Sequence, residues 1–153
     1  LQAFALKSYL ERFGHDVYNC AQSVVGVFAD RIGLTVDKLM AMAGGFGGGV
    51  GGSHTELCGA VSGGILALSL LYPHTDGADK AGKQRVYAKG KEFRRRFEEV
   101  FSFTRCGDLL NARPGITEKT HAAARLGITA HCDIMIVTAV ELLEQMLSEE
   151  TAA

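Results

Sequence analysis

The residues of this chain best suited to chemistry are four cysteines, Cys20, Cys58, Cys106 and Cys132, each placed by its neighbours near the start of a helix. Asn19 followed by Gln22 has the form of a capping box, with Cys20 at the first helical position. Ser53 to Glu56 repeats that form ahead of Cys58, while Thr104 and Thr129 are suitable caps before Cys106 and Cys132. A helix N-terminus offers unpaired N–H groups and a partial positive charge, so a thiol there is expected to ionise more easily. Cys20 and Cys58 should be the easiest to deprotonate if their helices face a shared site. Thiolates bind soft metals, carry iron–sulfur clusters and attack disulfides. Sulfur chemistry is the expectation.

The spacings, all longer than 20 residues, exclude the compact C-x-x-C forms of zinc ribbons, ferredoxins and thioredoxins. Helices converging on one point could still aim four thiolates at a single cluster. Two disulfides, in any of three pairings, are the competing use, and a structural zinc site is a third. A single free cysteine is also commonly a small buried hydrophobe. Four that each follow a capping signal are harder to explain in that way.

The elements that would carry these residues are helical. Apolar residues recur at helical spacing in Gln2 to Phe13, and again in Val24, Val25, Phe28, Ala29 and Ile32, a stretch that Gly33 ends. Thr35 begins a short helix with Leu39, Met40 and Ala43 inward. Seven of the nine residues from Gly44 to Gly52 are glycine, which predicts a mobile loop or a close backbone approach. Gly59, Gly63 and Gly64 then lie inside an apolar helix reaching Leu71, where each weakens the helix by about 1 kcal/mol relative to alanine. Tight packing against a neighbour or a cofactor would explain them. Lys80 to Phe101 reads as one long helix, and Asn111 to Ile116 as a connection. His121 to Leu126 is a shorter helix stopped by Gly127, and the last one buries Met135, Ala139, Leu142, Leu143 and Met146. No segment alternates like a strand. The expectation is an all-α fold, with residues 1–153 forming one compact domain.

Together these residues closely resemble the redox-active C_GCAxxG_C_C family. The resemblance rests on Asn19-Cys20-Ala21-Gln22-Ser23-Val24-Val25, the glycine-rich loop, Cys58-Gly59-Ala60-x-x-Gly63, Cys106-x-x-Leu109-Leu110 and Cys132. It spans about Asn19 to Leu147, with all four characteristic cysteines in order. It implies a small redox-active protein, with Cys20, Cys58, Cys106 and Cys132 as ligands of an iron–sulfur cluster used for electron transfer or sensing. A thiol–disulfide oxidoreductase, with Cys20 and Cys58 as the reactive pair, is the alternative. Whether the protein is an enzyme stays open on either reading. A redox partner protein is expected.

Other signals are weaker. Gly47 to Gly52 contains G-x-G-x-x-G, but a helix precedes it and the expected distal acidic residue is missing, so dinucleotide binding has little support. Unshielded N–H groups in this loop could instead bond cluster sulfurs. His54 and His131, close in sequence to Cys58 and Cys132, are candidate ligands or proton donors, though surface or capping roles suit them better. Lys80, Lys83, Arg85, Lys89, Lys91 and Arg94 to Arg96 give one helix a basic face, diluted by Glu92, Glu98 and Glu99. It suits a solvated surface or a docking patch for an acidic electron-transfer partner.

A net charge of −1 gives no pull towards nucleic acid, and no aromatic interleaving suggests a groove for it. Leu57 to Tyr72 is too short and too interrupted to span a bilayer, which takes about 20 apolar residues. A cytoplasmic location is the default, with export left open because the chain begins at Leu1. Homo-oligomers are compatible with all of this.

Overall fold

The structure, a computed structural model, describes residues 9–113 and 120–152. Residues 9–13 are helical. The named helices are α1 (Cys20–Gly26), α2 (Ala29–Ile32), α3 (Val36–Ala43), α4 (Gly59–Leu71), α5 (Lys80–Phe101), α6 (Cys106–Asn111), α7 (His121–Leu126) and α8 (His131–Ala152), with a 3-10 turn at Gly44–Phe46. The fold is all-helical, with no strand among the described residues. Its one β-like feature is an isolated antiparallel bridge between Leu57 and Arg105. The expected helix before Tyr9 and the connection from Pro114 to Ile116 lie outside the described residues.

Helix α1 is the hub. It packs against α3, α4, α8 and the 3-10 turn, and α8 also crosses α4, α5 and α7. Every residue of α1 except Gln22 is buried, as a helix without a polar face must be. Its closest neighbour is α4, where a Cβ on Gly63 would stand 2.5 Å from the Ala21 carbonyl oxygen and 2.8 Å from Ala21 Cα. On the other side of α4, a Cβ on Gly64 would meet the Phe93 ring at 2.4 Å. The interior glycines are there because backbone and ring come this close.

The long helix α5 has the expected bounds and is amphipathic. Phe93, Phe97 and Phe101 are buried on one side, with successive ring centroids 6.4 and 4.8 Å apart. Its solvent face is knitted by charge: Arg95 pairs with Glu92 and Glu99, and Arg96 with Glu92 and with Glu149 of α8. Arg95 and Arg96 of the basic face are thus internally paired. None of the described helices is long and apolar enough to cross a membrane.

Two expectations need correction here. The stretch expected to run unbroken to Ile32 divides after Gly26. Tyr9 donates its hydroxyl to the Ser23 carbonyl at 2.8 Å, and the Val27 N–H turns to Val24 and Val25 instead. The glycine at the break is required as well, since a Cβ on Gly26 would stand 2.5 Å from the Tyr9 hydroxyl. The capping signals also fare unevenly. Asn19 closes its capping box with Gln22, and Thr35 accepts from the Lys38 N–H. Ser53 instead donates to the Gly49 carbonyl and accepts from Thr55 N–H, and α4 starts only after Cys58. Arg105, not Thr104, occupies the N-cap of α6, and α8 begins at His131, beyond the reach of Thr129.

Candidate functional site

All four cysteines nevertheless end at helix starts. Cys20 and Cys106 are the first residues of α1 and α6, Cys58 precedes α4 as its N-cap, and Cys132 is the second residue of α8. All four are free thiols. They line one cavity of about 440 Å³, along with Asn19, five glycines of the glycine-rich loop, and His15, His54 and His131. None sits apart from the others in a pocket of its own.

Three devices hold the thiols in place. The first is the Asn19–Gln22 capping box, which fixes the start of α1. Asn19 also donates its side-chain N–H to the Gly44 carbonyl at 2.9 Å, tying Cys20 to the glycine-rich loop. The second is the contact of α1 with α4. A Cβ on Gly59 would lie 2.1 Å from Cys20 Sγ, so the sulfur occupies the space where a side chain beside Cys58 would be. The third is the Leu57–Arg105 bridge. Cys58 N–H donates to the Thr104 carbonyl at 2.8 Å and Cys106 N–H to the Glu56 carbonyl at 2.9 Å. Alternation along the paired segments puts Cys58 and Cys106 on one face as diagonal neighbours, which in a regular ribbon are about 7–8 Å apart. That exceeds the Cα separation of about 4.4–6.8 Å usual for a disulfide.

The glycine-rich loop is not a loose connection. Gly48, Gly49, Val50, Gly51 and Gly52 all have positive φ, between 59° and 74°, a run that side chains strongly resist. Backbone bonds from Gly51 to Gly45, Gly52 to Gly47 and His54 to Gly48 close it upon itself. Those N–H groups are thereby committed, and cannot serve sulfurs as the sequence reading supposed. The donors of Gly48, Gly49 and Val50 are outside this ladder.

The expected acidity is reversed at Cys58, Cys106 and Cys132. Burial pushes the Cys58 thiol far above its usual range, and a neighbouring charge at Cys20 pushes the same way. The N–H groups of Ala60 and Val61 favour its thiolate, as a helix start should, but burial outweighs them. Cys106 is raised by burial and by Cys20, and Cys132 is raised to about 11 by burial, then by Cys20, Cys106 and Asp133. Desolvation at a site that is 5% exposed beats a helix dipole worth about 0.3–1 kcal/mol. Cys20 is the common neighbour, since a charge there disfavours each of the other three thiolates.

Four free thiols on one cavity are soft donors of the kind a metal-containing group takes. Thiolates that are buried and repel one another gain from metal charge between them, and give up their protons when it binds. A lone zinc ion needs its sulfurs about 2.3 Å from one point. Among the described residues no three His, Cys, Asp or Glu side chains gather that closely. Ligands of a cluster grip its periphery and stand farther apart.

The histidines divide differently from the sequence expectation. His54 approaches Cys106, not Cys58, with Nδ1 3.5 Å from Sγ. His131 lines the cavity with Nδ1 buried and unpartnered, its pKa lowered by burial and by Arg113 and His15. His15 gave no sequence signal, yet it reaches the cavity because its backbone N–H bonds Asp133 of α8 at 3.1 Å.

The family model described as "Putative redox-active protein (C_GCAxxG_C_C)" matches residues 18–146. An uncharacterized protein of Archaeoglobus fulgidus is 35% identical over 103 residues, covering 62% of this chain and 67% of the relative. No solved structure matches the chain.

Proposed function

Because this chain belongs to the redox-active C_GCAxxG_C_C family, we propose that Cys20, Cys58, Cys106 and Cys132 hold an iron–sulfur cluster for electron transfer or redox sensing. The observation that carries the proposal is one cavity of about 440 Å³ walled by four free thiols, three of them with acidity suppressed by burial and by a common neighbour. A bound cluster would supply one-electron chemistry. The protein's part is to bind, to orient and to exclude water. Cys20 and Cys58, 7% and 5% exposed, form the dry side of the site, and Cys106 and Cys132 stand nearer solvent. The Ala60 and Val61 N–H groups at the start of α4 favour the deprotonated form of Cys58. An electron-transfer partner would meet the cavity mouth or the basic residues of α5 not spent on ion pairs.

Anaerobic reconstitution with ferrous iron and sulfide tests this directly. Wild-type protein should gain visible absorption, bound iron and acid-labile sulfide. Cys58→Ser should lose most of all three while keeping its far-UV circular dichroism. A wild-type chain that stays colourless and iron-free refutes the cluster.

The seating of Cys20 Sγ over Gly59, beside Cys58, favours thiol–disulfide exchange as a second reading. It predicts exchange with a model disulfide that Cys20→Ser abolishes. The raised Cys58 pKa argues against rapid attack by that thiol.

A further inference from the structure

His54 is held in an unusual way. Its backbone has φ of 62°, a left-handed conformation in which histidine is one of the few non-glycine residues enriched. Its N–H donates to the Gly48 carbonyl at 2.8 Å. A Cβ on Gly49 would stand 2.9 Å from His54 Cα and 2.8 Å from Cys106 Cβ. From the opposite side, a Cβ on Gly107 would stand 2.7 Å from the His54 carbonyl oxygen. Two glycines from separate segments therefore clamp the His54 backbone against the first turn of α6. The clamp brings chain segments remote in sequence together beside Cys106. What it achieves is the delivery of imidazole Nδ1 to 3.5 Å from Cys106 Sγ.

We propose that His54 is a positioning residue for Cys106, donating a hydrogen bond from Nδ1 that orients the sulfur towards the cavity. The proposal rests on Cys106 serving as a ligand, and it names the group that tunes that ligand. Cys106 is more exposed than Cys20 or Cys58 and stands at the first position of a helix of only 6 residues, so it is the thiol with most need of an outside restraint. A ligand sulfur that accepts a hydrogen bond also carries less charge to the metal, which raises the reduction potential. The clamp accounts for why Gly49 and Gly107 tolerate no side chain, although φ at Gly107 is not in the left-handed region.

The test separates ring from backbone. His54→Gly accepts the positive φ without strain and removes the donor, whereas His54→Asn also tolerates this φ and keeps an amide N–H near the Nδ1 position. Gly107→Ala leaves the imidazole intact but displaces it. Apoprotein is alkylated with iodoacetamide at fixed pH, and the rate at Cys106 is compared with that at Cys132 by peptide mass spectrometry. His54→Gly and Gly107→Ala should lower this ratio about three- to tenfold, with His54→Asn within about twofold of wild type, the range expected for one hydrogen bond. Circular dichroism confirms that each variant is folded. In reconstituted protein, His54→Gly should also lower the reduction potential relative to His54→Asn. A ratio in His54→Gly equal to or above wild type overturns the proposal, because the ring would then only cover the sulfur. A wild type that takes up no iron counts against the cluster alone, and the apoprotein ratio still decides the role of His54.

Discussion

Gly59→Ala is the sharpest perturbation of the site, because it adds one methyl group beside one ligand. The new Cβ would lie 2.1 Å from Cys20 Sγ, 3.0 Å from Ala21 N and 3.3 Å from Cys20 Cβ. Restoring an ordinary separation of about 3.5–4.0 Å requires the sulfur to retreat by roughly 1.5 Å or more. The Cys20 backbone is pinned by the capping box, so relief comes by rotating χ1 to another staggered well, which carries the sulfur about 3 Å away. Metal–ligand distances tolerate only about 0.2 Å. The energetic effect on the fold should be small. Alanine gains up to about 1 kcal/mol of helix propensity, against an overpacking penalty of about 1–3 kcal/mol that a rotatable side chain relieves in part. The expected outcome is apoprotein within about 1–2 kcal/mol of wild-type stability that retains little or no iron. Urea titration followed by circular dichroism gives the first quantity, and iron and sulfide analysis after anaerobic reconstitution gives the second. Full wild-type cluster content in Gly59→Ala would refute the reasoning, since a Cys20 sulfur moved by 3 Å could not remain a ligand.

Gly63→Ala should act on the packing of α1 against α4 and not on a single ligand. Its Cβ meets Ala21 backbone atoms at 2.5–3.0 Å, which no rotamer can relieve, so α1 and α4 must separate. We expect a net loss of about 1–2 kcal/mol, an overpacking cost larger than the helix gain, and a urea midpoint at or above wild type would contradict it. The thiols also predict a pH dependence for the apoprotein. Cys132 is raised from 9.0 to about 11, and Cys58 and Cys106 move the same way. Above pH 9 the unfolded chain therefore releases protons that the folded chain keeps. The stability these thiols contribute is complete below about pH 9 and is lost as pH rises through the folded values. Urea midpoints should fall between pH 8.5 and 10.5, less steeply in Cys58→Ser, and equal slopes for the two proteins would sink this account.

What could be read along the chain was whatever depends on neighbours in sequence. The periodicity of Lys80 to Phe101 specified α5, because Phe93, Phe97 and Phe101 recur on one helical face. Asn19 and Gln22 specified the start of α1, because a capping box is closed within four residues. Ser53, Thr104 and Thr129 had the same local credentials and failed. The segments around Cys58 and Cys106 found better partners in each other, through the Leu57–Arg105 bridge between residues 48 positions apart.

The thiols show the same division. Their order, spacing and approach to helix starts are properties of the chain, and they suffice to recognise the family. Their gathering on one cavity, the seating of Cys20 over Gly59, and the arrival of His15 and His54 are properties of packing. So is their protonation. A helix start acts on its own first turn, and that influence could be read from sequence. Desolvation is summed over every atom that excludes water, most of them distant in sequence, and at Cys58 that sum is larger than the dipole. The sequence determined that there would be four thiols at four helix starts, and only the tertiary structure decided that they would meet on one cavity, where burial holds the protons on Cys58, Cys106 and Cys132 more tightly.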